Sequence, residues 1–168
     1  MFKRMLTTRS LCQSAVIAAL YAALTLLLAP ISYGAVQCRV SEAMTLLPLV
    51  MPSSIPGLFI GCLIANLYTG SVLDIIFGSL ATLAAALGTW ALRNVKVGKL
   101  PLLSVLCPVV ANGVVVGLVL SYSYGLPLLI TMGEVALGEV GAVIIGCVVL
   151  QGCHAAKLGQ GPLKKYLI

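Results

Sequence analysis

Five charged side chains in this 168-residue chain stand inside long apolar runs: Arg39, Glu42, Asp74, Glu134 and Glu139. An ionisable group in a hydrocarbon layer costs roughly 2.5 to 3.5 kcal/mol on insertion scales, so each needs a partner, a wet cavity or a ligand. One arginine cannot neutralise four carboxylates, so the group is net negative, and a cationic or N–H-rich ligand would relieve it. Glu134 and Glu139 are five residues apart, roughly 140° around a helix, and so do not share a face. Glu134 is favoured for the site because Glu139 lies deeper along its run. The amides Gln37, Asn66 and Asn112 fall near the same level, where they either complete a binding site or tie helices together. The competing reading pairs Arg39 with Glu42 as a clamp at a helix start and makes Asp74 the N-cap of the helix that follows.

Other chemistry is missing from the sequence. It contains no GxxxxGK[ST], HExxH or GxSxG pattern, hence neither ATPase machinery nor an obvious nucleophile. The six cysteines form no CxxC pair, and five of them lie in or beside apolar stretches. They read as small buried hydrophobes, not as a metal site or a disulfide set. The single histidine, His154, sits near a basic flank. No catalytic residue, metal or cofactor is expected.

The elements that must position the charged group follow from composition. Hydrophobic residues make up 61% of the chain and charged residues 8%, with mean hydropathy +1.14. A globular chain carries about 25% charged residues. A soluble domain, an acidic tail and a charge-rich coiled coil are all excluded. At about 20 apolar residues per crossing, the length allows roughly five to seven transmembrane helices. The net charge of +6 does not point to nucleic acid, because nine of the ten bases sit in three clusters beside apolar spans: Lys3, Arg4 and Arg9; Arg93, Lys96 and Lys99; Lys157, Lys164 and Lys165. Clustering of this kind marks cytoplasmic flanks.

The sequence predicts spans over residues 10–29, 42–52, 55–69, 71–92, 101–122 and 126–152. Residues 42–69 are the difficult part, apolar but interrupted by Pro48, Pro52 and Pro56. If all three basic clusters face the cytoplasm, the crossings between Arg9 and Arg93 must be even in number. The interrupted stretch must then return to the side it left, as two short helices meeting at Met51 to Pro56 or as a re-entrant hairpin. Two helices are preferred. Tyr33, Tyr68, Tyr122 and Tyr124 fall at the outer ends, and Trp90 and Tyr166 near the basic inner flanks, as in aromatic belts. A signal-peptide reading of the N-terminus is disfavoured by the length of its apolar run and by the apolar chain that follows. The expected fold is an all-α integral membrane protein, a six-transmembrane-helix bundle with both termini cytoplasmic.

Small residues mark the packing. Ala15, Ala19 and Ala23 repeat at every fourth position on the first helix, while Gly113 with Gly117, and Gly138 with Ala142 and Gly146, do the same further on. Such stripes let helices approach closely. The glycine pairs suit packing within the bundle, and the alanine stripe could face another subunit.

The run AVIAALYAALTLLLAPISYGAVQCRVSEAMTLLP (residues 15–48), with IANLYTG ending at Gly70, DIIFGSLAT from Asp74 and GEV at Gly133 to Val135, resembles the queuosine-precursor transporter family (QueT). These proteins are substrate-binding S components of energy-coupling factor (ECF) transporters. Gln37 to Glu42 is the most specific part of the resemblance, which spans most of the chain. It implies a six-helix bundle in the bacterial cell membrane that holds a queuosine precursor near the extracellular side. It also implies association, through the alanine stripe, with a transmembrane T subunit and two cytoplasmic ATPases. A 7-deazaguanine such as queuine presents adjacent N–H donors that a carboxylate can accept as a fork. Glu134 or Glu42 would take the base edge, Asp74 the side-chain amine or the ordering of the site, and Gln37, Asn66 and Asn112 the remaining contacts, with Arg39 beside them. Glu139 and the proline-rich corner depart from the pattern. The alternatives are a stand-alone secondary carrier using its acids as proton or cation sites, a membrane enzyme, and a purely structural subunit.

Overall fold

Within a bilayer, backbone N–H and C=O groups must find partners inside their own segment, which favours helices. The computed structural model describes residues 7–33, 38–95 and 101–155. Every regular element among them is helical. Helix α1 spans Thr8–Leu27 and is followed by the single turn Ala29–Ser32; a 3₁₀ helix spans Val40–Leu49; α2 spans Ser54–Leu67; the π turn Asp74–Gly78 leads into α3, Ser79–Leu92; α4 spans Leu102–Tyr124 and α5 Leu128–Ala155. Four stretches are long and apolar enough to cross a membrane: Thr8–Leu27, Asp74–Leu92, Leu102–Tyr124 and Leu128–Cys153.

Local sequence explains the ends. The Thr7 hydroxyl accepts the Ser10 N–H at 3.3 Å and caps α1. Pro30 lies in the first positions of the turn Ala29–Ser32, where its missing N–H is harmless. Gly125 closes α4 at φ +67°, a conformation open to glycine without a Cβ penalty.

The interrupted stretch forms two helices that meet at residues 50–53. The first is not an α-helix. It is a ten-residue 3₁₀ helix beginning at Val40, much longer than the usual three or four residues. Its rise of about 2.0 Å per residue carries ten residues roughly 20 Å, against about 15 Å for an α-helix. Its side chains eclipse every third position: Glu42, Thr45 and Pro48 form one buried edge, and Leu46 and Leu49 the next. The Thr45 hydroxyl donates to the Glu42 carbonyl at 2.5 Å. This thin helix touches all five α-helices. Around it α1 packs on α2, α2 on α3, α3 on α4 and α4 on α5, and α5 returns to the 3₁₀ helix.

Polarity runs inside out. Leu20, Leu27, Val110, Leu129, Leu137 and Val148 are exposed, whereas the largest fully buried side chains include Tyr21, Glu42, Asn66, Asn112, Thr25, Thr82 and Thr131. Three apolar clusters flank this polar interior, around Tyr21 and Leu58, around Leu46 and Val143, and around Val116 and Val135. Of the basic clusters, Lys3, Arg4, Lys96, Lys99, Lys157, Lys164 and Lys165 lie outside the described residues.

Candidate functional site

The 3₁₀ helix carries Glu42 to the centre of the bundle, where the residue is fully buried. Its Oε1 accepts two hydroxyl donors, Tyr21 from α1 and Thr82 from α3, the latter at 2.8 Å. Two donors on one oxygen fix the orientation of the carboxylate. The Thr82 hydroxyl also reaches Cys62 Sγ at 3.3 Å. Next to Glu42, the Ser41 hydroxyl accepts the Thr25 hydroxyl at 2.6 Å.

Above Glu42 lies Arg39, 4% exposed. Its guanidinium stands 5.4 Å from the centre of the Tyr33 ring and acts electrostatically on Glu42 and Tyr21. Tyr33 stacks on Tyr68 at 5.9 Å between ring centres, and its hydroxyl donates to the Ala65 carbonyl at 2.7 Å. These two rings read from sequence as interfacial anchors. Tyr33 is half-buried and tied to α2 and to Arg39.

Asn66, fully buried at the end of α2, donates its Nδ2 to the Asp74 carbonyl at 3.0 Å and to Cys62 Sγ at 3.3 Å. π turns are frequent at functional sites, and here the extra residue presents the Asp74 carbonyl to the Asn66 amide. Gly78 closes the turn, and a methyl group there would come within 2.8 Å of Asn66 Nδ2 and 4.0 Å of an Arg39 guanidinium nitrogen. Asp74 is buried. It is not the N-cap: Ser71 Oγ accepts the Asp74 N–H at 3.3 Å.

On the far side, Asn112 of α4 donates its Nδ2 to Glu139 Oε1 of α5 at 3.0 Å. Glu139 is 3% exposed and lies within electrostatic range of Glu42 and Arg39. The flanking backbone of α5 meets the chain just before the 3₁₀ helix, where Cys38 Sγ contacts the Gly138 carbonyl at 3.6 Å.

Among the described residues, four buried acceptor atoms on these side chains find no hydrogen-bond donor: Glu42 Oε2, Asn66 Oδ1, Asn112 Oδ1 and Glu139 Oε2. In both asparagines the bond made by Nδ2 sets which way the amide faces. A buried acceptor without a partner costs about 1–3 kcal/mol, so four together are a demand for donors.

The chain matches the family described as QueT transporter over residues 11–154. It is 31% identical over 156 residues to "Queuosine precursor transporter QueT" of Lactococcus lactis subsp. cremoris (strain MG1363), covering 87% of this chain and 89% of that one. The chain belongs to the QueT transporter family. Membership, with several long apolar helices, makes it a multi-pass transporter of the bacterial cell membrane. No solved structure matches it.

Of the site residues expected for this QueT family member, the structure brings Arg39, Glu42, Asn66 and Asp74 to one side of the polar interior and Asn112 to the other. Glu134 is half-buried on α5 and takes part in none of these hydrogen bonds. Gln37 lies outside the described residues. Sequence reasoning did not include Tyr21, Thr82, Cys62 or Tyr33, and it set Glu139 aside. Among the described residues no group of three His, Cys, Asp or Glu side chains could hold a metal ion.

Proposed function

We propose that this QueT family member is the substrate-binding S component of an ECF-type importer, and that it captures a queuosine precursor, queuine or a related 7-deazaguanine, at the extracellular side. The observation that carries the reading is the set of four buried acceptors at the centre of the bundle. A 7-deazaguanine supplies N–H donors along its pyrimidine edge, at its pyrrole nitrogen and at its amine substituent. The name of the Lactococcus relative points to the same substrate class. Glu42, Asn66 and Asp74 bind the ligand with Arg39, while Gln37, Asn112 and Glu134 complete the set.

Six helices cross the membrane, with both termini cytoplasmic. The 3₁₀ helix and α2, each about 20 Å long, serve as the short pair between α1 and α3. Such short elements are tolerated because protein surrounds much of their polar backbone, and the 3₁₀ helix touches every other helix. An even number of crossings between Arg9 and Arg93 keeps the basic clusters on one side.

A T subunit and two cytoplasmic ATPases drive uptake. Ala15, Ala19 and Ala23 are exposed on the outer face of α1, whereas Ala18 and Ala22 are turned inward. The outer stripe is a shallow track on which another helix can lie closely. Ala19→Leu is expected to leave ligand affinity within about twofold, because a residue on the far side of α1 touches none of the buried acceptors. It should abolish co-purification with the T subunit and ATP-driven uptake. Retained uptake in Ala19→Leu vesicles would remove the stripe from the interface.

The ligand is tested with a calorimetric panel of queuine, its aminomethyl and nitrile precursors, guanine and unrelated vitamins against the purified chain. Micromolar or tighter binding confined to the 7-deazaguanines is the expected result. Uptake by the chain alone in liposomes, driven by a proton gradient, would instead identify a stand-alone secondary carrier.

A further inference from the structure

We propose that Glu139 and Asn112 form the specificity edge of the ligand site, a paired acceptor that reads the adjacent ring N–H and exocyclic amino group of the base. This rests on the reading that a 7-deazaguanine is the ligand, and it gives a direct role to an acid with no assigned one.

The argument begins with the two buried carboxylates. Glu42 has two hydroxyl donors and the nearby Arg39. Glu139 has one neutral donor, the Asn112 amide at 3.0 Å, and shares Arg39 electrostatically with Glu42. Glu139 is therefore the less compensated of the two.

Asn112 is 1% exposed and Glu139 3% exposed, so bulk water does not supply the missing donors. The bond between them consumes one atom of each and leaves one acceptor on each, Asn112 Oδ1 and Glu139 Oε2, both buried and without a partner among the described residues. A ligand that satisfies both must present two N–H donors to this hydrogen-bonded pair of side chains. The N–H and amino group of a guanine-like edge are such a pair, and loss of the amino group would leave a buried acceptor unmet. Sites built this way reject the analogue that lacks the donor far more strongly than an apolar pocket rejects a missing methylene.

The experiment compares two bases, 7-deazaguanine and 7-deazahypoxanthine, which lacks only the exocyclic amine. Binding is measured by calorimetry with the full-length purified protein and its Glu139→Gln and Glu139→Asp variants. The wild type is expected to prefer the aminated base by about 10- to 100-fold, the range of hydrogen bonds to charged groups. Glu139→Gln, which presents an N–H donor or a weaker acceptor to the ligand, should bring that preference to within about threefold. Glu139→Asp keeps the charge on a shorter arm and should give an intermediate preference, and it serves as the readout where the glutamine variant fails to fold. The ratio of the two affinities isolates the contact, because a residue that only supports the bundle would weaken both bases alike. An unchanged ratio in the variants, or equal loss for both bases, rejects the role of Glu139 and leaves the ligand assignment standing. Failure of the wild type to bind either base rejects the ligand assignment and this proposal with it.

Discussion

Glu42→Ala is expected to lower affinity for the 7-deazaguanine ligand by at least about 100-fold and to destabilise the ligand-free protein as well. The substitution deletes the acceptor of both the Tyr21 and the Thr82 hydroxyls; Tyr21 then costs about 1–3 kcal/mol as a buried unpaired donor, while Thr82 keeps only the weak contact with Cys62 Sγ at 3.3 Å. It also removes a carboxylate that Arg39 senses in a site almost closed to water. Thermal unfolding in detergent reads the loss of stability and calorimetry the loss of affinity. Tyr21→Phe separates them, because it removes one of the two donors and leaves the carboxylate in place. Stability should fall by about 1 kcal/mol and affinity by less than tenfold. Wild-type affinity in a folded Glu42→Ala protein would place the ligand elsewhere and overturn the assignment of the buried acceptors.

What the sequence makes legible depends on whether a signal is local. A carboxylate inside an apolar run is local, so Glu42 and Asp74 stand out at once, and a buried amide such as Asn66 stands out nearly as well. Tyr21, Thr25 and Thr82 do not, because tyrosine and threonine are ordinary in membrane helices. Their roles arise only when the registers of α1, α3 and the 3₁₀ helix bring hydroxyls to Glu42 and Ser41. The same reason separates Glu134 from Glu139. Depth counted along one helix favours Glu134, whereas the burial of Glu139 against Asn112 depends on how α4 and α5 are staggered.

The 3₁₀ helix is the clearest case of a feature hidden from sequence. Over ten residues, the buried positions 42, 45 and 48 fit a period of three but are too few to distinguish it from 3.6. Pro48 and the short length point to an interruption without saying which helix type results. The geometry follows from surroundings: a segment packed against five neighbours has little lateral room, and the narrower helix fits. The π turn at Asp74 has a similar origin, since the Asn66 amide takes the Asp74 carbonyl. Composition, by contrast, already determined the fold class, because 61% hydrophobic residues leave no other solvent for the outer faces.

The second large effect is expected at Gly61, which no motif singled out. A Cβ on Gly61 would lie 2.8 Å from the Ala18 carbonyl oxygen and 2.8 Å from Tyr21 Cβ. A backbone carbonyl cannot rotate aside as a side-chain tip can, so α1 and α2 would have to separate. Gly61→Ala should lower stability by about 1–3 kcal/mol, the usual cost of overfilling a packed contact. Gly61→Leu should prevent recovery of folded, monodisperse protein. Because Tyr21 holds Glu42, the milder variant is also expected to weaken ligand binding, by less than about tenfold as for Tyr21→Phe, through displacement of a donor and not through any contact with the ligand. Gly133→Ala supplies the control: nothing lies within 4 Å of a Cβ there, and alanine is the better helix former by about 1 kcal/mol. Equal behaviour of Gly61→Ala and Gly133→Ala in thermal unfolding and calorimetry would mean that the close approach of α1 and α2 does not set the position of Tyr21. The site would then be held by the 3₁₀ helix and α5, where Gly146 packs in the same manner against the Ala43 carbonyl.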